Sequence, residues 1–221
     1  MGTYINIVKK LDEITIDVDV SFDKGVLVIQ GESGAGKTTV LNCIAGIKTP
    51  DEGNITIEDT QVFGKNVNLP VKNRQVGYVF QNYALFPNMT VKHNVLYGIK
   101  NKKSYRDRVE RKKLFDYAQY IMETFKISSL GHRYPKAISG GEKQRVALAR
   151  AIVTQPKILL LDEPFSALDI KTKEIVYKEF ATFKRDFGIP TILITHDPRE
   201  SEMFADKRII MNKGKIQREV E

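Results

Sequence analysis

Gly31-Glu32-Ser33-Gly34-Ala35-Gly36-Lys37-Thr38 is the stretch on which the reading of this chain turns. It fits the phosphate-loop pattern G-x-x-x-x-G-K-[ST] at every fixed position. The hydrophobic run 26–29 leads into it and the helix-compatible run 39–45 leads out, the strand–loop–helix setting the pattern requires. Glycines at 31, 34 and 36 let the backbone turn with its N–H groups inward, so a polyphosphate approaches without meeting a Cβ. The helix that follows presents its positive N-terminal end to the same anion. Lys37 adds a mobile charge for β- and γ-phosphates, and the Thr38 hydroxyl suits magnesium. A purely structural glycine turn is the competing reading, and the flanking strand and helix weigh against it.

The chain has 221 residues, enough for one sizeable domain or a core domain with a substantial insertion. Lys and Arg number 35 against 27 Asp and Glu, a formal charge of +8. Much of the excess is local: eight basic and two acidic residues fall between Lys100 and Lys113. Such a run suits nucleic acid or an anionic membrane surface, but is more often a solvated helix face. No aromatic residues are regularly interleaved with it as a stacking platform would need, so the solvated face is preferred. The single cysteine, Cys43, excludes an internal disulfide and agrees with a reducing compartment. Its place after the phosphate loop suits an inert buried thiol. No cleavable signal pattern or uninterrupted apolar span of membrane length is present. The chain is therefore expected to be soluble by itself and to serve a membrane only through partners.

Ile14, Ile16, Val18 and Val20 alternate with Thr15, Asp17 and Asp19, the period of a half-exposed strand. With the runs 4–8 and 55–57 they predict a small antiparallel sheet, punctuated by turns at Gly53-Asn54 and Gly64-Lys65. Residues 75–80 read as a further strand. From Asn82 to about Gln155 no long strand is found. Leu114, Tyr117, Ala118, Ile121, Met122 and Phe125 recur there at helical spacing, as Val176, Phe180, Phe183 and Phe187 do later. The apolar runs 158–161, 191–194 and 208–211 complete an alternation of strands and helices that predicts an α/β core with a largely parallel sheet.

Ile158-Leu159-Leu160-Leu161-Asp162-Glu163-Pro164 is a strand apolar on both faces that delivers two carboxylates at its C-terminal end, where open α/β sheets bind ligands. Neighbours on a strand point to opposite sides, so the two acids divide the work. Asp162 is assigned to magnesium, and Glu163 to the attacking water as general base or water-positioner. A third signal is Ile138-Ser139-Gly140-Gly141-Glu142-Lys143-Gln144-Arg145. Ser139 with Glu142 reads plainly as a capping box, while the two glycines at a helix mouth form a second anion cradle.

These residues resemble the signature sequence of ABC transporter ATPases, and the rest of the chain fits that family in order and spacing. Gly31–Thr38, extended by Thr39, resembles the Walker A motif, Gln81 the Q-loop glutamine, and 158–163 the Walker B strand with its catalytic glutamate. Ser166-Ala167-Leu168-Asp169 resembles the D-loop, and His196, within Ile194-Thr195-His196-Asp197, the switch histidine. The resemblance implies an α/β P-loop ATPase core with a three-stranded antiparallel β edge and an inserted α-helical subdomain. It implies ATP and Mg2+ as cofactors, with Thr38, Gln81 and Asp162 toward the metal and Glu163, His196 and Gln81 in catalysis. It also implies a head-to-tail homodimer, in which Ser139, Gly140 and Gly141 touch the γ-phosphate held by the other copy and Asp169 reports across the interface. Asp197-Pro198-x-Glu200 would also simply start a helix. His93 and His132 are read as surface residues. Where the family usually stacks an aromatic on adenine, this chain has Leu11, which lacks a π-face.

The stretch 76–91, around Gln81-Asn82-Tyr83-Ala84-Leu85-Phe86-Pro87, looks like the region of bacterial importers that receives a membrane subunit. Tyr83, Leu85 and Phe86 are expected on an exposed loop there. The opening residues 5–11, the segment 69–81 and Leu168-Asp169-Ile170 lean toward molybdate importers, with sulfate, tungstate and polyamine importers close behind. The expected protein is an energy-coupling ATPase at the cytoplasmic face of the membrane, bound to permease subunits and served indirectly by a solute-binding protein. A soluble nucleic-acid-associated ABC ATPase is the less favoured reading, and no nucleic-acid partner is expected. The expected organisation is one domain, 1–221, with 1–81 and 156–221 as nucleotide-binding core and 82–155 as helical subdomain. No C-terminal regulatory domain is expected beyond Asn212-Lys213-Gly214-Lys215.

Overall fold

Strand β2 (Thr15–Phe22) buries Ile16, Val18, Val20 and Phe22 and exposes the residues between them, as its period of two predicts. The computed structural model that shows this describes residues 2–100 and 103–220. Asn101 and Lys102, inside the basic run, lie outside the described residues. β2 pairs antiparallel with β1 (Thr3–Lys10), whose other edge takes β4 (Glu52–Ile57). β5 (Thr60–Gly64) and β6 (Val67–Asn68) extend the same edge. The antiparallel edge therefore has five strands where three were expected; β5 buries the adjacent Val62 and Phe63 and β6 has two residues, so neither shows an alternation to read.

Gly53 and Asn54, expected in a turn, lie inside β4 opposite Ile7 and Asn6. Gly53 has φ +104, and a Cβ there would lie 2.0 Å from the carbonyl oxygen of Asn6. This glycine marks a close strand approach, not a chain reversal. The chain does reverse after Gly64, between β5 and β6.

The rest of the sheet is built on parallel strands. β3 (Val26–Gln30) lies between β10 (Lys207–Asn212) and β9 (Thr191–Ile194), and β9 pairs with β8 (Ile158–Asp162), all parallel. β8 and β9 are buried along their whole length. β7 (Val76–Val79) ends the sheet on that side, while β11 (Lys215–Val220) joins β10 to β2. The order is β6-β5-β4-β1-β2-β11-β10-β3-β9-β8-β7. Because β3, β8 and β9 run parallel, their C-terminal ends bring the phosphate loop, Asp162 and His196 to one edge.

Helix α1 (Lys37–Ala45) follows the loop and is fixed at its far end by a residue the sequence did not single out. Arg74 is 2% exposed. Its Nη1 donates to the carbonyls of Cys43 and Ile44, its Nε to that of Leu69, and its Nη2 to Asn68 Oδ1. A guanidinium at this end complements the helix dipole. A Cβ on Gly46, the C-cap, would sit 2.6 Å from Arg74 Nε. Cys43 is fully buried, which pushes its thiol up to about 11 and agrees with an inert cysteine.

The chain divides into two compact units: Met1–Tyr78 with Lys157–Glu163 and Lys184–Glu221, and Val79–Pro156 with Pro164–Phe183. The first contains nearly all of the sheet, α1 and α6 (Pro198–Phe204). The second contains α2 (Val91–Lys100), α3 (Arg108–Thr124) and α4 (Gly140–Ile152), which pack on one another, and most of α5 (Ile170–Phe187). Ala118, Ile121 and Met122 are the buried face of α3. Residues 164–183, which the sequence reading placed with the nucleotide core, group with the helices. Aromatic packing explains this: Phe165 lies 5.1 Å from Tyr177 and 5.7 Å from Phe180, and Phe125 lies 6.1 Å from Phe183, between ring centroids.

Two cations of the basic run have partners within their own unit. Asp107 caps α3 by accepting from the N–H groups of Val109 and Glu110. Lys113 pairs with Glu110 at 2.8 Å, and the Arg111 guanidinium lies 5.9 Å from the Tyr105 ring. Tyr83, expected on an exposed loop, is buried, with left-handed backbone. Arg150 donates to the carbonyls of Tyr83 and Ala84 and lies 5.5 Å from the Phe86 ring. Leu85 and Phe86 are half-buried, and Tyr97, 4.5 Å from Phe86, is the more exposed ring. Among the described residues no helix is long and apolar enough to cross a membrane.

Candidate functional site

Each end of a helix leaves backbone groups that the helix cannot satisfy itself. α3, α4 and α6 answer this at their N-termini with a side-chain cap (Asp107, Ser139 and Asp197) and an acid in the first turn. α1 has neither. Its N-cap is Gly36 at φ +95, with no side-chain hydrogen bond and no acidic residue in the first turn. The positive end of α1 therefore has no counter-charge from its own cap or first turn, the condition under which a helix end can take an anion. At Gly34 (φ +82) a Cβ would meet no protein atom within 4 Å, so a side chain there would project into the open space beside the loop. Glu32, Ser33, Gly34 and Thr38 are exposed, Thr39 is half-buried, and Ala35 anchors the loop in the core. A Cβ on Gly31 would lie 2.3 Å from the carbonyl oxygen of Met211.

Lys37 is 6% exposed. Its ammonium donates to the carbonyls of Gly31 and Glu32, both at 2.8 Å, and so lies across the loop. Burial lowers its pKa, opposed by the negative charges of Glu163 and Asp162. Thr38 Oγ1 donates to Asp162 Oδ1 at 3.2 Å. Burial raises the Asp162 carboxyl above the usual carboxylate range; the Thr38 bond pulls it down, Glu163 pushes it up, and Lys37 pulls it down. Hydroxyl and carboxylate oxygens beside an ammonium fit a hard divalent cation and the polyphosphate that accompanies it.

Glu163 corrects the strand argument. β8 ends at Asp162, and Glu163 has φ +45, a left-handed conformation uncommon for a residue with a side chain. The two acids are separated by this backbone turn, not by strand alternation. The N–H of Glu163 donates to the carbonyl of Ile194 at 3.1 Å. Its Oε1 lies 3.4 Å from His196 Nδ1, so the structure brings these two predicted residues together. Leu11 is half-buried against the core beside Ile14, in the turn between β1 and β2.

In the second unit, Ser139 and Glu142 form the complete capping box of α4. Glu142 N donates to Ser139 Oγ at 3.3 Å and Ser139 N to Glu142 Oε2 at 2.6 Å. The Ser139 backbone bond is the main cause that holds the Glu142 carboxyl below its ordinary range. A Cβ on Gly141 would lie 2.6 Å from Thr172 Cγ2. Thr172 in turn donates to Asp169 through its hydroxyl at 2.6 Å and its N–H at 3.1 Å, which starts α5. Thr172 thus lies close against Gly141 and bonds Asp169. Gln81 is exposed two residues after β7, and His93 and His132 are exposed as expected.

A glycine loop feeding an uncapped helix, beside a threonine–aspartate pair, is the means by which P-loop proteins hold nucleotide phosphates, and this chain is of that class. More narrowly, residues 16–166 match the ABC transporter family, and the chain belongs to it. The chain is 40% identical over 213 residues to the sulfate/thiosulfate import ATP-binding protein CysA of Pseudomonas syringae pv. tomato, covering 96% of this chain and 63% of that protein. It is 40% identical over 205 residues to the Fe(3+) ions import ATP-binding protein FbpC 2 of Haemophilus influenzae, covering 92% and 56%. The chain spans between about half and just under two thirds of the length of such curated relatives. The fold is that of an ABC ATPase cassette. It matches the dimeric post-hydrolysis state of the ATP-binding cassette MJ0796 bound to ADP and Pi with TM-score 0.82 and 29% identity, covering 100% of this chain and 98% of that one. The ADP conformation of MJ1267, a cassette of an ABC transporter, gives TM-score 0.82 and 28% identity over 99% and 90% of the two chains.

The capping box yields a pH-dependent outcome. Because the folded state lowers the Glu142 pKa, its stabilisation is present above the ordinary carboxylate range and is lost as pH falls through the lowered value. Glu142→Ala is expected to cost about 0.5–1 kcal/mol at neutral pH. In thermal melts, the gap between variant and wild type closes at acidic pH. A gap that stays constant with pH would contradict the ionised cap.

Proposed function

We propose that this chain is the ATP-hydrolysing, energy-coupling subunit of a bacterial ABC importer. The observation that carries the reading is the N-terminus of α1, left without side-chain cap or acid while Lys37 and the Thr38–Asp162 pair stand beside it. In this reading the loop N–H groups and Lys37 bind the β- and γ-phosphates. Thr38 and Asp162 hold Mg2+, which when bound supplies neutralising charge at the phosphate oxygens; Gln81 enters through its motif. Glu163 orients the water that attacks the γ-phosphorus and takes its proton as the bond to the ADP oxygen breaks. His196, adjacent to Glu163, bonds to the γ-phosphate.

Two copies act head to tail, each completing the other's site with Ser139, Gly140 and Gly141 at the mouth of α4. ATP supplies the negative charge that the two helix ends share, so hydrolysis weakens the dimer. The dimeric cassette bound to ADP and Pi supports this arrangement. Within this reading 1–221 acts as one cassette attached to permease subunits at the cytoplasmic face, with a solute-binding protein delivering cargo. Glu163→Gln, which keeps size but removes the base, is expected to accumulate an ATP-bound dimer. Light scattering in saturating Mg-ATP reads twice the monomer mass; a monomeric variant would contradict the shared site.

The cargo proposed is a tetrahedral oxyanion. The sequence leans toward molybdate, and relatives named for sulfate and thiosulfate import support the oxyanion class; a relative named for Fe(3+) import marks the alternative. Co-purification of the cognate solute-binding protein, followed by calorimetric titration with molybdate, tungstate, sulfate and Fe(3+), separates these. The proposal predicts micromolar or tighter binding of an oxyanion; binding of Fe(3+) alone would overturn it.

A further inference from the structure

One buried carboxylate in the first unit has no part in the chemistry above. Glu200, on α6, is 2% exposed. Its Oε2 accepts from Thr195 Oγ1 at 2.5 Å, and Thr195 is equally buried. The same threonine oxygen accepts the N–H of Asp197 at 3.0 Å. Thr195 and Asp197 are the chain neighbours of His196. Asp197 also caps α6 by accepting from Arg199 N at 2.9 Å. One hydroxyl, held by Glu200, therefore ties together both sides of the turn that carries the histidine.

We propose that Glu200 is a positioning residue for His196: through Thr195 it fixes the turn 195–197 and holds the imidazole beside Glu163. The proposal rests on the functional reading above, in which His196 contacts the γ-phosphate. Three observations carry it. The His196 side chain is 64% exposed, so packing does not set its direction and the backbone that carries it must. Its Nδ1 nevertheless lies 3.4 Å from Glu163 Oε1, a relation that a small tilt of the turn would break. Starting a helix does not require a buried acid. α4 starts with Glu142, which stays partly accessible and bonds the cap N–H, whereas Glu200 reaches past the cap to Thr195 and is desolvated there.

Two conservative and two disruptive variants of the purified chain separate positioning from simple stability. Steady-state phosphate release from Mg-ATP gives kcat and KM, and calorimetry gives the affinity for ADP, which lacks the phosphate that His196 addresses. Glu200→Leu and Thr195→Val are expected to lower kcat by about tenfold or more, since misplacement near 1 Å costs up to about a hundredfold, with ADP affinity within about twofold of wild type. Glu200→Gln keeps an acceptor and Thr195→Ser keeps the hydroxyl, so both recover kcat to within about threefold. Wild-type kcat in Glu200→Leu would overturn the proposal. So would ADP affinity falling in step with kcat, or Glu200→Gln as impaired as Glu200→Leu. If Glu200→Leu does not fold, the Thr195 pair makes the same comparison. A wild-type chain that releases no phosphate would count against the functional reading, a separate result from any of these.

Discussion

The N-terminal end of α1 holds backbone N–H groups that no side chain among the described residues caps, and the surrounding structure leaves that end open. Gly31 allows close approach by the Met211 carbonyl, where a Cβ would collide, and Gly36 supplies the left-handed backbone (φ +95) from which the helix starts. Arg74 secures the opposite end of the same helix by bonding its last carbonyls. A helix held at its C-terminus and uncapped at its N-terminus keeps the positive end of its dipole free of a counter-charge from its own first turn. The sheet serves that end as well: its parallel strands deliver loop, aspartate and histidine to one edge.

Charge balance around that end follows from burial. Lys37, Asp162 and Glu163 influence one another in a partly desolvated setting, which weakens the tendency of both lysine and aspartate to stay charged. An incoming polyphosphate and cation would change that balance for each of them. In the second unit the corresponding helix end, at α4, carries a capping box in which Ser139 and Glu142 take up each other's N–H groups. The two cradles that looked alike in sequence thus differ: one lacks a cap, and the other carries one.

Most of the fold was legible because its strands and helices have strong patterns: β2 alternates, β8 and β9 are apolar runs of three or four residues buried throughout, and α3 and α5 carry stripes. β11 escaped because only Ile216 and Val220 in Lys215–Val220 are even partly buried, leaving no apolar pattern to read. Gly53 was misread because a glycine inside a strand at close approach looks, in sequence, like a glycine in a turn. At the site, the residue types and their order were readable, since phosphate chemistry dictates them. The left-handed turn at Glu163, the guanidinium of Arg74 and the Glu200–Thr195 bond were not. The first is a backbone angle that no side-chain pattern encodes, the second joins residues up to 31 apart, and the third is a local pair whose acid reads in sequence as an ordinary first-turn residue of a helix.

The central claim is that the open end of α1 takes the phosphates. Amide NMR of the chain labelled at glycine, lysine and threonine, titrated with Mg-ADP, tests it directly. The account predicts that the N–H signals of Gly34, Gly36, Lys37 and Thr38 shift together and saturate, while those of Gly140 and Gly141 stay in place in the monomer. Saturable binding that leaves the four loop amides unmoved would contradict it.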